Sequence, residues 1–192
     1  MKTFIVEHTP GNTVTPLHWY FIPDSALSNT GKPLFMPEGC DTLTAYIAPA
    51  IRFSRLGKCI GARFASRYFH EWLPGIHFRD NRLRCSLLDE GLPLDMSHAF
   101  DRSLFLGKPL DIESLTDGTP LILHLNGEPT ATLTINDFPM SIGEVTEAVS
   151  TQNTIKTGDI LVPALSEGVD VRIGDFLELK AGVDTLFSIA IK

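Results

Sequence analysis

The sequence predicts a single α+β domain, mostly β, over residues 1–192, and three observations carry that reading. Its 13 prolines and 15 glycines are spread along the chain rather than clustered, as expected of many short elements joined by defined turns. Apolar runs with period-two alternation dominate the second half, the pattern of half-buried strands. Helical signals are confined to two short stretches. A hydrophobic content of 43% over 192 residues is enough for one substantial core.

Taken in order, His18 to Ile22 reads as a strand and Gly31 to Pro37 as an extended segment between turns. Ile51 to Ile60 is apolar enough for a strand closed by Gly61, and Phe64 to Leu73 predicts a short helix stopped by Pro74-Gly75. Leu121 to Leu125 is a strand run that leads into Asn126-Gly127, a strong hairpin signal, with Ala131 to Ile135 as partner. Ser141 and Glu144 form a Ser-x-x-Glu capping box flanked by the staple pair Met140 and Val145, which predicts a helix from Ser141 to about Thr151. Ile160 to Val162, Phe176 to Leu179 and Leu186 to Ile191 read as strands, interspersed with turns at Gly158-Asp159 and Gly174-Asp175. No repeat, low-complexity tract or long linker divides the chain.

The net charge of −7 argues against nucleic-acid binding, which needs a basic face to replace phosphate counterions. Arg79, Arg82 and Arg84 lie close together, but beside Asp80 they read as a solvated or ion-paired segment. The apolar run Met1 to Val6 turns polar at Glu7 and His8 and meets Pro10-Gly11, too short for a signal sequence. No stretch is long and apolar enough for a membrane span. Cys40, Cys59 and Cys85 are odd in number and lack Cys-x-x-Cys spacing, so they read as free, buried thiols in a reducing cytoplasm. There is no metal-ligating His or Cys pair, no phosphate loop and no Gly-x-Ser-x-Gly elbow.

A set of short motifs, in order from Lys32 to Lys192, resembles the fumarylacetoacetate hydrolase family. Leu34-Phe35-Met36-Pro37 resembles its Leu-Phe-x-Lys-Pro, and Ile60-Gly61 the end of its Glu-x-Glu-Leu-x-x-x-Ile-Gly strand. Gly75-Ile76 through Asp80 resembles Gly-Tyr-x-x-x-Asn-Asp, and Phe100-Asp101 followed by Leu106-Gly107 resembles Lys-x-Phe-Asp-x-x-x-x-Leu-Gly. Asn126-Gly127-Glu128 and the two Gly-Asp turns complete the series. The resemblance implies a compact mixed β-roll with two short helices, a homodimer, and a divergent N-terminal segment over 1–31.

It also implies Mg²⁺ or Mn²⁺ on two glutamates of one strand and a following aspartate, where a hard cation polarises a 2-oxo carboxylate. Registered on Ile60-Gly61, this chain has Phe53 and Arg55 at the glutamate positions and keeps only Asp80, so no metal ligand set is expected. Asp80 then orients Arg55, and the Arg55 guanidinium takes the cation's place. Arg55 and Arg84 become candidates for binding a substrate carboxylate and His98, which replaces the pocket lysine, for proton transfer. For His98 the alternative is a polar rim residue. Asp101 reads as a turn residue, His70-Glu71 as helix surface, and His77 and His124 as structural. His8 and His18 are the candidates for a water-activating histidine. Two functions follow from the resemblance: a hydrolase, isomerase or decarboxylase of small 2-oxo or enol carboxylic acids, or a catalytically silent, homodimeric binding or scaffold protein.

Overall fold

The computed structural model describes residues 1–7, 17–29, 31–138 and 140–192, so His8 and the Pro10-Gly11 turn fall outside it. Among the described residues the chain forms fifteen strands in three sheets and three α-helices. One sheet runs in the order β13 (Val169–Val171), β4 (Leu43–Ile47), β7 (Gly75–Arg79), β8 (Leu104–Leu106), β3 (Leu27–Asn29). A second runs β2 (Trp19–Ile22), β1 (Thr3–Val6), β12 (Ile160–Val162), β5 (Ala50–Arg52), β6 (Glu71–Leu73), β9 (Leu110–Asp111). The third is antiparallel, in the order β11 (Glu128–Leu133), β10 (Leu121–Leu125), β14 (Phe176–Ala181), β15 (Asp184–Ala190). The helices are α1 (Asn81–Asp89), α2 (Glu113–Thr116) and α3 (Ile142–Gln152).

Alternation along β4 and β7 places the site. Leu43, Ala45 and Ile47 of β4, with Ile76 and Phe78 of β7, enter the main apolar cluster. The intervening residues must then face the other way. Thr44 stands opposite Arg79 and Tyr46 opposite His77, and all four are buried. Gly75 begins β7 because a Cβ there would lie 2.4 Å from the Ala48 carbonyl oxygen.

The second half follows the sequence pattern closely. At the β10–β11 hairpin, Asn126 and Gly127 have φ of 52° and 92°, the double left-handed geometry that the Asn-Gly pair favours. Asn126 also reaches sideways, donating from its amide to Asp175 (2.8 Å) and accepting from the Phe176 N–H (2.9 Å). In the capping box of α3, Glu144 accepts from the Ser141 N–H and Ser141 from the Glu144 N–H.

Four expectations need correction. The strand expected over Ile51 to Ile60 stops at Arg52, because Phe53 and Gly57 then donate to Asp159 and Ile155 rather than to a ladder partner. The helix expected over Phe64 to Leu73 is a 3₁₀ turn, Ala62–Arg67, followed by β6. Pairing of β6 with β5 and β9, and burial of Trp72 with its indole N–H on Ser114, outweigh the local helical pattern there. Residues 81–89 form α1, which begins where the Asp80 carboxylate accepts from the Leu83 N–H. The cysteines are free, but Cys59 and Cys85 are exposed rather than buried. No helix among the described residues is long and apolar enough to cross a membrane.

Both Gly-Asp turns use one device. Gly158 (φ 87°) and Gly174 (φ 99°) adopt the left-handed region, and the next residue's carboxylate accepts from the N–H three positions earlier, Lys156 or Arg172. Asp159 does more. It is 2% exposed, also accepts from the Lys2 N–H (2.8 Å), and lies 3.5 Å from Lys2 Nζ, so it moors the N-terminal strand to β12. Asp159→Ala removes the acceptor of two partly buried N–H groups and leaves a cavity at a buried position, and is expected to cost about 2–4 kcal/mol in denaturant unfolding. Asp159→Asn, which keeps one acceptor, should cost less than Asp159→Ala.

Candidate functional site

Beyond the end of β7 the chain turns into α1 and brings Asn81 beside the polar face of β4. Asn81 donates from its amide to Thr44 Oγ1 (2.9 Å) and Tyr46 Oη (2.8 Å), and its carbonyl accepts from Arg79 Nε (3.0 Å). The Arg79 guanidinium lies at the centre of this cluster. It donates to Tyr46 Oη (2.8 Å) through Nη2 and to the Glu7 carboxylate (2.9 Å) through Nη1, with its carbon 4.6 Å from the Tyr46 ring centroid. The Thr44 hydroxyl in turn donates to the Asp170 carboxylate (2.8 Å).

Glu7, the residue after β1, is the hinge between this buried cluster and an open cleft. Its Oε1 also accepts from Arg84 Nη2 (3.0 Å) on α1. One carboxylate oxygen thus holds two guanidiniums, one buried and one partly open to solvent, as charge-assisted hydrogen bonds allow. The cleft encloses about 390 Å³ and is lined by Glu7, His18, Trp19, Tyr20, Arg84, Leu94, Asp95 and His98.

His98 lines this cleft, and His77 lies buried behind its Tyr20. His77 Nδ1 lies 2.9 Å from the Ser103 carbonyl and must carry the proton, so Nε2 accepts the Tyr20 hydroxyl (2.9 Å). Burial pushes the His77 pKa down to about 3 and raises that of Tyr20, so both are neutral. His98 packs on Tyr20 with ring centroids 4.0 Å apart. Burial lowers its pKa to about 4, with Asp95 opposing the shift and Arg84 adding to it. Ser97 Oγ gives its proton to the Leu94 carbonyl (2.6 Å), so only lone pairs face His98 Nδ1 at 3.4 Å. That favours a proton on Nδ1 and a bare lone pair on Nε2, which is buried without a protein partner.

Of the four residues singled out from the sequence, Arg84 and His98 meet in this cleft. Arg55 and Asp80 do not meet. Arg55 is exposed in the bend after β5, Phe53 is buried against Phe69, and Asp80 caps α1 beside a separate cleft lined by Cys40, Arg82 and Met96. The pairing of Arg55 with Asp80 is therefore corrected. Its error lies in the anchor isoleucine: Ile47 and Ile51, not Leu56 and Ile60, keep the motif's Leu-x-x-x-Ile spacing after Thr44-x-Tyr46. His98 is 3% exposed, so it is no surface residue, and Glu71 belongs to β6, where it pairs with Arg52. Glu7, Tyr20, Tyr46, Arg79 and Asn81 were missed. The one available signal was the alternation of Leu43, Ala45 and Ile47, which leaves two polar residues on the other face of a strand.

The Mg²⁺ or Mn²⁺ that the resemblance implies does not fit these residues. Two side chains two apart on a strand and one from the following segment do converge, but they are a threonine, a tyrosine and an asparagine. Their oxygens are neutral, and Arg79 donates to two of the three. A divalent cation would meet a fixed positive charge in place of the anionic oxygens it requires. Among the described residues no three His, Cys, Asp or Glu side chains cluster at ligand spacing.

A β-roll that sets a polar strand pair beside a cleft walled by its own N-terminal strands defines the class of fold. It is that of the fumarylacetoacetate hydrolase family. A Yersinia pestis protein described as a member of that family is 18% identical, with a TM-score of 0.89 over 100% of this chain and 92% of its own. Fumarylpyruvate hydrolase from Pseudomonas aeruginosa, solved with Mn²⁺ and pyruvate, is 17% identical (TM-score 0.88; 100% and 89% covered). The 5-carboxymethyl-2-hydroxymuconate delta-isomerase from Mycobacterium smegmatis is 16% identical (TM-score 0.86; 99% and 78% covered). No family model and no curated protein matches the sequence.

The depressed His77 pKa makes stability depend on pH. The unfolded chain takes up a proton below about pH 6.5 and the folded chain only near pH 3, so stability is lost as pH falls through that window. From about pH 7 to pH 4.5 this residue alone should remove roughly 2–3 kcal/mol of unfolding free energy. His77→Gln keeps one donor and one acceptor without the titration, so urea melts at the two pH values should show a smaller loss.

Proposed function

We propose that this chain binds a small 2-oxo or enol carboxylic acid in the cleft between Arg84 and His98 and moves a proton beside its carbonyl. The observation that carries this reading is the pairing, in one cleft, of a guanidinium with N–H groups to spare and a buried imidazole nitrogen with no protein partner. Arg84 would anchor the ligand carboxylate through the planar fork that suits it. His98, neutral at physiological pH, would take the proton, and its lowered pKa keeps it in the base form down to weakly acidic conditions. Tyr20, whose proton is committed to His77, presents oxygen lone pairs. The activities of the structural neighbours, a fumarylpyruvate hydrolase and a 5-carboxymethyl-2-hydroxymuconate delta-isomerase, support the 2-oxo and enol acid class. Among hydrolase, isomerase and decarboxylase chemistry, these groups favour proton transfer.

The second reading, a silent binding or scaffold protein, is favoured by Glu7. It is the central carboxylate of the site, and two arginines hold it, so it is no free base for activating water. On either reading we propose a homodimer, as the family resemblance implies, and a cytoplasmic setting, which the three free cysteines support. Light scattering at tens of micromolar should give twice the 21.1 kDa chain mass. The monomer mass would sink the dimer.

Pyruvate is the probe for the site. Calorimetric titration should show saturable binding that Arg84→Met weakens by about tenfold or more, equivalent to about 1.4 kcal/mol. His98→Phe should retain binding but lose exchange of the pyruvate methyl protons with D₂O. The exchange rate of the unaltered protein should rise through about pH 4 and then level off, because deprotonated His98 is the base. Binding indifferent to Arg84→Met would reject the cleft. Binding without exchange at any pH would leave the silent reading.

A further inference from the structure

The cluster behind the cleft is arranged as a cation site, yet the cation is part of the chain. Thr44, Tyr46 and Asn81 bring oxygen-bearing side chains together from a strand and a helix start: the Asn81 amide bridges Thr44 Oγ1 and Tyr46 Oη, and the Arg79 guanidinium fills the space beside them, donating to Tyr46 Oη and Asn81 Oδ1. Arg79 is 7% exposed and has four hydrogen-bond or ring contacts, with Asn81, Tyr46 Oη, Glu7 and the Tyr46 face. Nothing about this packing is that of a stray surface arginine. A guanidinium keeps its charge at any pH the fold survives.

We infer that Arg79 is a built-in replacement for a divalent cation: it fills the place, excludes metal, and gives the site a single fixed positive charge where an ion would bring two. The inference concerns ligand class as well as metal, and in that part it rests on the function proposed above. Among the described residues, the charged groups that line the cleft or hold its Glu7 are Arg79 and Arg84 against Glu7 and Asp95, which cancel, while His98 and His77 are neutral. Glu7 already consumes part of both guanidiniums. One ligand carboxylate can be matched by the spare N–H groups of Arg84. A second negative charge finds no counter-charge among the described residues and faces Glu7 and Asp95. The site should therefore take singly charged 2-oxo acids and reject dianions such as oxalate, the opposite of what a bound divalent ion would favour.

Two arms of the test use the unaltered protein. Water-proton relaxation with Mn²⁺ should show no saturable site below about 1 mM, the range of weak oxygen-ligand sites. Pyruvate binding should be unchanged by EDTA or added Mn²⁺, and oxalate should bind about tenfold more weakly than pyruvate or worse, a difference of about 1.4 kcal/mol. Saturable Mn²⁺ binding that Asn81→Ala abolishes, or oxalate tighter than pyruvate, would overturn the inference. A third arm restores the acids. Thr44→Glu, Tyr46→Glu and Asn81→Asp together should bind Mn²⁺ at least about tenfold more tightly when combined with Arg79→Ala than with Arg79 kept. Equal binding with and without Arg79 would refute it as the excluder. If pyruvate binds nowhere, the proposed function fails while the Mn²⁺ arms still decide the role of Arg79. If the acidic variants do not fold by circular dichroism, the arms on the unaltered protein decide it.

Discussion

One carboxylate oxygen sets the geometry of this site. Glu7 Oε1 accepts from Arg79 on the sheet and from Arg84 on the helix, and so ties the end of β1 to the end of β7 and the first turns of α1. Without it a nearly buried guanidinium would lose its counter-charge, a loss that ordinarily costs several kcal/mol. The same contact divides the arginines by role. Arg79 is turned inward among neutral oxygens, and Arg84 keeps part of its fork toward the cleft. The polar strand pair and the cleft are joined through this N-terminal residue, which lies between them.

How far the sequence revealed this depended on whether a feature was local. The Asn126-Gly127 hairpin, the Ser141–Glu144 capping box and the Gly158-Asp159 and Gly174-Asp175 turns are each fixed within a few residues, and each forms as expected. Where pairing across the sheet decides, the local pattern misled. Residues 71–73 look like the end of a helix but serve as a strand between β5 and β9, because two ladders and a buried tryptophan outweigh weak propensity. The helix over 81–89 went unseen because only Leu87 is buried and its start signal is a single aspartate.

The site was half legible for the same reason. Arg84 and His98 were found through motif position, and the structure brings them together. Arg55 was chosen through a register anchored on Ile60, and a shift of one isoleucine moves the polar pair to Thr44 and Tyr46. By the inference drawn above, a guanidinium again stands where a metal would be, but that of Arg79 rather than Arg55. Such a substitution is hard to read from sequence, since the arginine does not replace a ligand. It comes from the facing strand, opposite Thr44, and reaches the centre from behind.

The parallel pairing of β1 with β12 has a consequence for how the chain acquires its shape. Thr3 lies beside Ile160, and the Lys2 N–H reaches an aspartate 157 residues away. The entropy of closing so long a loop grows only slowly with its length, so the finished pairing is not expensive for its span. Timing is the real constraint. Phe4, Ile5 and Val6, all fully buried in the end, have no β12 to join until Ile160 to Val162 have been synthesised. Contacts of such long range also slow folding once the chain is whole. A growing chain must therefore carry this apolar strand with β2 alone to pair with and its other edge open, and Glu7 cannot bring its two arginines together until that strand finds its place.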